Sequence, residues 1–318
     1  MQGERDYAAL YGKYSMSESR EDYSASVLAR LLNHSRKYKE DYQSLLIRYV
    51  AERFLYRLGH SDYRESFILK GAYLLTLTLE DQTYRTTKDI DFLKTGETDS
   101  NYILESIKSI CDIKYPEDAV RFDTETITLQ DIREQNHYHG QRAKIKAYIG
   151  KAKVTLQIDI GVGDIVHPGP VTKLIPSLLE IESGIVEAYP METIIAEKLE
   201  ASVALSLLTS RMKDFYDLYI VIRMFELSFS EVAAAIKQTF ERRKTDIPNE
   251  MPAIYTEKVY QDSTKQKQWK AFVGKLHNKN STLELYEVIE VISQFSSVFW
   301  DNSSEKPTIW IPAEGWRY

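Results

Sequence analysis

Two aspartates, Asp89 and Asp91, stand two apart in the run Arg85-Thr86-Thr87-Lys88-Asp89-Ile90-Asp91-Phe92-Leu93. Successive side chains of a β-strand alternate between its faces, so this spacing turns both carboxylates one way and Ile90 and Phe92 into a core. Like charges this close raise each other's pKa. Such a pair is tolerated where water solvates it, where cations match it, or where it holds Mg²⁺. The spacing alone decides little, because Asp-x-Asp is common by chance and a solvated turn before a strand explains it as well. Arg85, Thr87 and Lys88 add cations and a hydroxyl at the lip of the pair, and an arginine beside acids that face a triphosphate has phosphate oxygens to bind.

Three other stretches carry chemistry. Lys70-Gly71-Ala72 joins a short apolar strand to an apolar helix, 18 residues before Asp89. Gly71 and Ala72 lack bulk, so a phosphate can approach the backbone N–H groups at the helix N-terminus, where the dipole favours negative charge. A tight strand-to-helix connection explains the same residues. Lys198, next to Glu197, lies among Ile194, Ile195, Leu199 and Ala201, and an ammonium near a buried helix face calls for an anion such as a nucleotide phosphate. Further on, Lys213, Asp214 and Asp217 fall at helix spacing and can face one cleft, although a helix-stabilising ion pair accounts for them too. Asp159, on an alternating stretch, can come alongside Asp89 and Asp91 as a third carboxylate. Asp164 competes for that place but suits a loop or cap role better.

The elements that must position these groups read as follows. Residues 1–23 have no sustained periodicity and make a loose arm. Two amphipathic helices follow from Ser24, the second capped by Asp41 and stopped at Gly59. The basic cluster Arg36, Lys37 and Lys39 between them is a solvated surface by default and a candidate RNA contact otherwise. A helix over residues 99–112 precedes strands separated by Gly140 and the Gly150-Lys151 turn, which suggests an antiparallel meander. Lys144, Lys146, Lys151 and Lys153 make the most basic local surface of the chain. His137, His139 and His167 show no ligand-like spacing. Pro168 to Tyr189 reads as an irregular connection, and Pro190 as the first residue of a helix. Helices then fill the rest up to a tail at residues 303–318 that docks or frays.

Composition sets the bounds. The 318 residues are 43% hydrophobic and 28% charged, as in ordinary globular proteins. No apolar run reaches the ~20 residues of a membrane helix, and the N-terminus lacks the apolar core of a signal peptide, so the expected compartment is the cytoplasm. A single cysteine, Cys111, excludes a disulfide framework and a thiolate zinc site. A net charge of −6 argues against coating nucleic acid through the overall field but leaves room for a local basic groove.

Taken in order, Phe67 to Ala72, then Arg85-x-Thr87-x-Asp89-x-Asp91-Phe92, then Ala196-Glu197-Lys198, then Arg211-x-Lys213-Asp214-x-x-Asp217-Leu218, resemble the AbiEii/AbiGii toxin family of nucleotidyltransferases, which includes the MenT toxins and belongs to the polymerase-β-like superfamily. The resemblance runs from Ser24 to Trp269; Ala72 departs from the usual Gly-Gly or Gly-Ser turn. It implies an α+β fold: a nucleotidyltransferase lobe over residues 24–189 with a mixed, largely antiparallel sheet flanked by helices, then an all-helical lobe over residues 190–302. It implies Asp89 and Asp91 as metal ligands and, with Lys198 and Asp214, as catalytic groups, and Lys70, Gly71, Ala72, Arg85, Thr87, Lys213 and Asp217 as nucleotide-binding. Asp159 as a metal ligand is the strand-based expectation added to that set. The implied cofactor is Mg²⁺, as one ion or two, and the substrate a nucleoside triphosphate. The implied acceptor is the 3′ end of tRNA, and the implied partner a separately encoded antitoxin. Transfer to a protein hydroxyl, or a nucleotide-binding regulatory module without turnover, are the alternatives.

Overall fold

A computed structural model of the chain describes residues 23–79, 87–134, 138–276, 282–301 and 305–318. Helices α1 (Ser24–Tyr38) and α2 (Tyr42–Gly59) open it. Asp41 caps α2 by accepting a hydrogen bond from the Ser44 amide at 2.8 Å, as its position before an apolar-periodic run predicts. Strand β1 (Phe67–Lys70) runs directly into α3 (Gly71–Thr78), and β2 (Asp89–Lys94) carries the aspartate pair. After α4 (Ser100–Asp112) come the long strands β3 (Val120–Glu134), β4 (Tyr138–Ile149) and β5 (Ala152–Val162), paired antiparallel in sequence as the expected meander.

The span from Pro168 to Tyr189, read from sequence as irregular, contains β6 (Val171–Leu174) and β7 (Ile185–Ala188). Each strand has four residues, and β6 is exposed along most of its length, so neither leaves a period-two apolar signal. They complete a seven-stranded sheet of order β3-β4-β5-β2-β1-β7-β6, in which β2–β5 and β1–β7 are parallel and the other pairs antiparallel. Pro190 caps the next helix rather than beginning it. That helix is α5 (Met191–Leu205), followed by α6 (Met212–Met224), β8 (Leu227–Ser228), α7 (Phe229–Arg243), α8 (Glu257–Gln261), α9 (Ser263–Val273) and α10 (Leu285–Trp300). The C-terminal part is therefore not all-helical. β9 (Ile309–Ile311) and β10 (Gly315–Arg317) pair with β8 in a three-stranded sheet, and the tail docks there. Trp310 is buried and donates its indole N–H to the Ile222 carbonyl, which holds the tail against α6.

One face of the large sheet makes the main core. Ala143, Ile145, Ala147 and Ile149 on β4, and Val154, Leu156, Ile158 and Ile160 on β5, are buried side by side with Ile90 and Phe92 of β2. Burying such a branched side chain stabilises by about 1.5–3 kcal/mol. A one-residue slip would turn the whole row to solvent, so the apolar alternation fixes the register of the polar face as well. Among the described residues no helix is long and apolar enough to cross a membrane.

Candidate functional site

The register of four strands sets out a row of charges. Arg142 of β4 lies opposite Asp159 of β5, Asp159 opposite Asp91 of β2, and Asp91 opposite Lys70 of β1. Partners in register project from the same face, so cation, acid, acid and cation lie in line across the sheet. Asp89, one step along β2, accepts a hydrogen bond from the Thr87 hydroxyl at 2.6 Å.

Gly71, the residue after Lys70, has φ +72, and a Cβ there would lie 2.2 Å from Asp91 Oδ2. Backbone conformation and space both require glycine, because the aspartate carboxylate rests against the first turn of α3. Ala72 behind it is buried and contributes backbone rather than a side-chain contact. Arg85 lies outside the described residues.

Asp91 is where charge is out of balance. Burial, then Asp89, and also Asp159 push its carboxyl up to about 7, with Lys70 and Lys213 acting in the other direction. Asp159, expected as a third metal ligand, comes into register with the pair as its strand predicts, but Arg142 grips both its oxygens at 2.7 Å. Asp159 thus stands beside Asp89 and Asp91 in the wall of one cleft, already paired with a cation. Among the described residues no group of three His, Cys, Asp or Glu side chains is set to hold a metal ion. Asp89 and Asp91 themselves fit a hard divalent cation: they offer oxygen donors on one face, and their mutual repulsion is what such a cation relieves.

Across the cleft stand α5 and α6. Lys198 donates to Asp214 Oδ1 at 2.9 Å and Asp217 Oδ2 at 2.8 Å, an ion triad linking the two helices. Burial opposes charge on Asp214, but Lys198 and Arg211 outweigh it and hold the carboxyl below its usual range. Lys213 is exposed on the cleft wall, whereas the Asp217 side chain is fully buried. Asp217, expected to bind nucleotide, has its side chain buried between α5 and α6, where it accepts from Lys198.

A second network ties the sheet to the helices. Lys70 reaches Asp164 at 3.1 Å and Glu197 at 3.4 Å, the Tyr189 hydroxyl donates to Glu197 at 3.0 Å, and Arg243 of α7 joins Asp164, Glu197 and Glu200. Burial works against the Lys70 charge, yet Glu197 and Asp164 hold its pKa well above the ordinary lysine value. Asp164 thus belongs to a structural ion cluster, in line with the loop role its sequence position suggests. The cleft between the two sides has a volume of about 270 Å³.

Sequence reasoning passed over Arg142 and Arg243 and gave Arg211 and Glu197 no role beyond their place in the motifs, although all four line this cleft. Arg211 carried a local signal, three residues before Asp214, with which it ion-pairs. Arg142 becomes visible only once the β4–β5 register is known, and Arg243, at the end of α7, carries no local signal at all.

A family model described as "Nucleotidyl transferase AbiEii toxin, Type IV TA system" matches residues 53–291. Two solved structures from Helicobacter pylori are distantly similar. One, a candidate nucleotidyltransferase, is 15% identical over 79% of this chain and 92% of its own, with a TM-score of 0.45. The other, JHP933, is 14% identical over 79% of this chain and 89% of its own, with a TM-score of 0.43. Among curated proteins none matches.

Proposed function

This chain belongs to the AbiEii family of nucleotidyltransferase toxins, and on that premise we propose that it transfers a nucleotide from a nucleoside triphosphate to the 3′ hydroxyl of tRNA in an Mg²⁺-dependent reaction. Membership in a toxin–antitoxin family implies an antitoxin as partner, which we take to be separately encoded. The observation that carries the chemistry is the cleft of about 270 Å³ in which the Asp89/Asp91 pair faces Lys198, Arg211 and Lys213. Residues 24–189 and 190–302 are read as two lobes that meet at this cleft, working in the cytoplasm.

Asp89 and Asp91 would hold Mg²⁺, with the triphosphate supplying the remaining oxygen ligands. When bound, the ion polarises the α-phosphate and neutralises the departing pyrophosphate. The chain's own residues do the rest. The first turn of α3 presents backbone N–H groups and the positive end of its dipole to a phosphate, with Lys70 beside it. Lys198, fixed by Asp214 and Asp217, meets the charge that develops on the phosphates, and Arg211 and Lys213 add to it from the same wall. Arg142 fixes the Asp159 carboxylate toward the metal pair, where it orients the acceptor hydroxyl and accepts its proton as the oxygen attacks the α-phosphorus.

The test incubates purified protein and Mg²⁺ with each α-labelled triphosphate, and with total tRNA or cell protein, beside the Asp89→Ala, Asp91→Ala double variant. Label on tRNA that the variant cannot add supports the proposal. Label on protein instead moves the acceptor to a protein hydroxyl, and triphosphate binding without label anywhere contradicts transfer.

A further inference from the structure

The face of β3, β4 and β5 opposite the core is open, and it leads out of the cleft. Ile132 and Gly140 sit on this face within the cleft wall, and Arg142 follows them. Beyond Arg142 the register gives successive cross-strand rows: Thr128, Lys144 and Gln157; then Asp123, Lys146 and Thr155; then Arg121, Tyr148 and Lys153. From Arg142 to Tyr148 is six residues, about 20 Å of strand. Lys144, Lys153, Arg121, Thr128 and Thr155 are exposed and Lys146 and Tyr148 half-buried, while the alternate residues Ala143 to Ile149 of β4 and Val154 to Ile160 of β5 are core.

The composition of this face is unlike the rest of the chain. Arg121, Arg142, Lys144, Lys146 and Lys153 share it with the carboxylates of Asp123 and Asp159, and Arg142 already binds the latter, in a protein of net charge −6. Between the lysines lie Thr and Gln, which donate to phosphate and ribose oxygens without adding charge. At the far end the Arg121 guanidinium lies over the Tyr148 ring, 4.5 Å from its centroid, a flat pair on which a base can stack. Cations in a line, small polar donors between them and a stacking platform at the end are the means by which proteins follow a single-stranded nucleic-acid backbone without reading its sequence.

We infer that this sheet face is the track along which the acceptor RNA backbone lies, its 3′ end entering the cleft past Arg142. The inference rests on RNA being the acceptor and adds the surface that holds it. It explains how an acidic protein engages a polyanion: the field of the whole molecule is unfavourable, and three lysines on one strand pair supply the local contacts.

The test uses the full chain with three lysines of this face neutralised, Lys144→Gln, Lys146→Gln and Lys153→Gln. Lys258→Gln, Lys267→Gln and Lys270→Gln, exposed on α8 and α9, form the control. Binding of labelled total tRNA is followed across a KCl series, and binding of a fluorescent triphosphate with Mg²⁺ is followed in parallel. Each phosphate contact on single-stranded nucleic acid contributes about 0.7 to the salt slope, so the track variant should lose about 2 from the slope of log K against log salt and bind tRNA roughly tenfold or more weakly at low salt. Its triphosphate affinity and melting midpoint should match wild type, and the control variant should bind tRNA as wild type does. Unchanged tRNA affinity and slope in the track variant would overturn the track while leaving transfer to RNA in place. Wild-type protein that binds no tRNA, yet labels a protein, would overturn both the track and the RNA acceptor.

Discussion

Two clusters of charge lie within the same sheet-and-helix body, and they are arranged in opposite ways. At the far end of α2, Asp118 is wholly buried and takes hydrogen bonds from Arg53 at 3.1 Å, from Arg57 at 2.7 Å and from the Val120 amide at 2.7 Å. Arg53 also donates to the Glu182 carbonyl at 2.8 Å, and Arg57 to the Ile113 carbonyl at 2.9 Å. Here two buried cations close on one buried carboxylate. At β2, Asp91 meets Asp89 and Asp159 on an open cleft, and no described residue forms an ion pair with it. A buried network in which cations and carboxylate pair with one another fixes the fold. Asp89 and Asp91, left crowded on a cleft, have their counter-charge still to come, from a cation and a substrate.

The contrast predicts that function and stability separate between the clusters. The double variant Asp89→Ala, Asp91→Ala should lower nucleotide transfer by about 10³-fold or more, as loss of a charge-stabilising centre does, and leave the melting midpoint at or above wild type. Asp118→Ala should do the reverse. It takes the shared carboxylate from two buried guanidiniums, costs about 3–5 kcal/mol of stability by denaturant titration, and leaves the transfer rate of the folded fraction unchanged. Transfer lost in the second variant at full occupancy of the fold would break the comparison.

Smaller changes sharpen it. Gly71→Ala places a Cβ against the Asp91 carboxylate in a left-handed conformation; about 1–2 kcal/mol of stability should be lost, together with triphosphate affinity measured by calorimetry. Asp91→Asn removes one charge from the crowded pair. Because burial and Asp89 push Asp91 up to about 7, the folded chain binds its proton more readily than the unfolded chain. Stability from this group is therefore greatest when it is protonated in both states, and is lost as pH rises from the ordinary carboxylate range through about 7. Without added metal, Asp91→Asn should melt a few degrees above wild type at pH 8, with the gap closing toward pH 5.

Much of this contrast was legible in the residues themselves. The Asp89/Asp91 strand, the Gly71 turn, the Asp41 cap and the β3–β5 meander all follow from local periodicity and turn chemistry, and the spacing of Asp159 on its strand placed it beside the pair. Three features were not legible, each for a physical reason. The four-residue strands β6 and β7 are too short to show alternation. The grip of Arg142 on Asp159 depends on a pairing register between strands, which no single strand encodes. Asp217 has the helix spacing of a cleft residue, but whether such a residue faces the cleft or the neighbouring helix is decided by where α5 packs on α6.

The central claim, that Asp89 and Asp91 form a pair awaiting a divalent cation, is tested most directly by Mn²⁺ binding. The measurement is a titration followed by water-proton relaxation between pH 5.5 and 8.5, on wild type and on Asp91→Asn. Metal must displace the Asp91 proton, so wild-type apparent affinity should rise about tenfold per pH unit below about 7 and level off above it, while Asp91→Asn should bind weakly at every pH without that rise. Equal, pH-independent Mn²⁺ affinity in the two proteins would contradict the account.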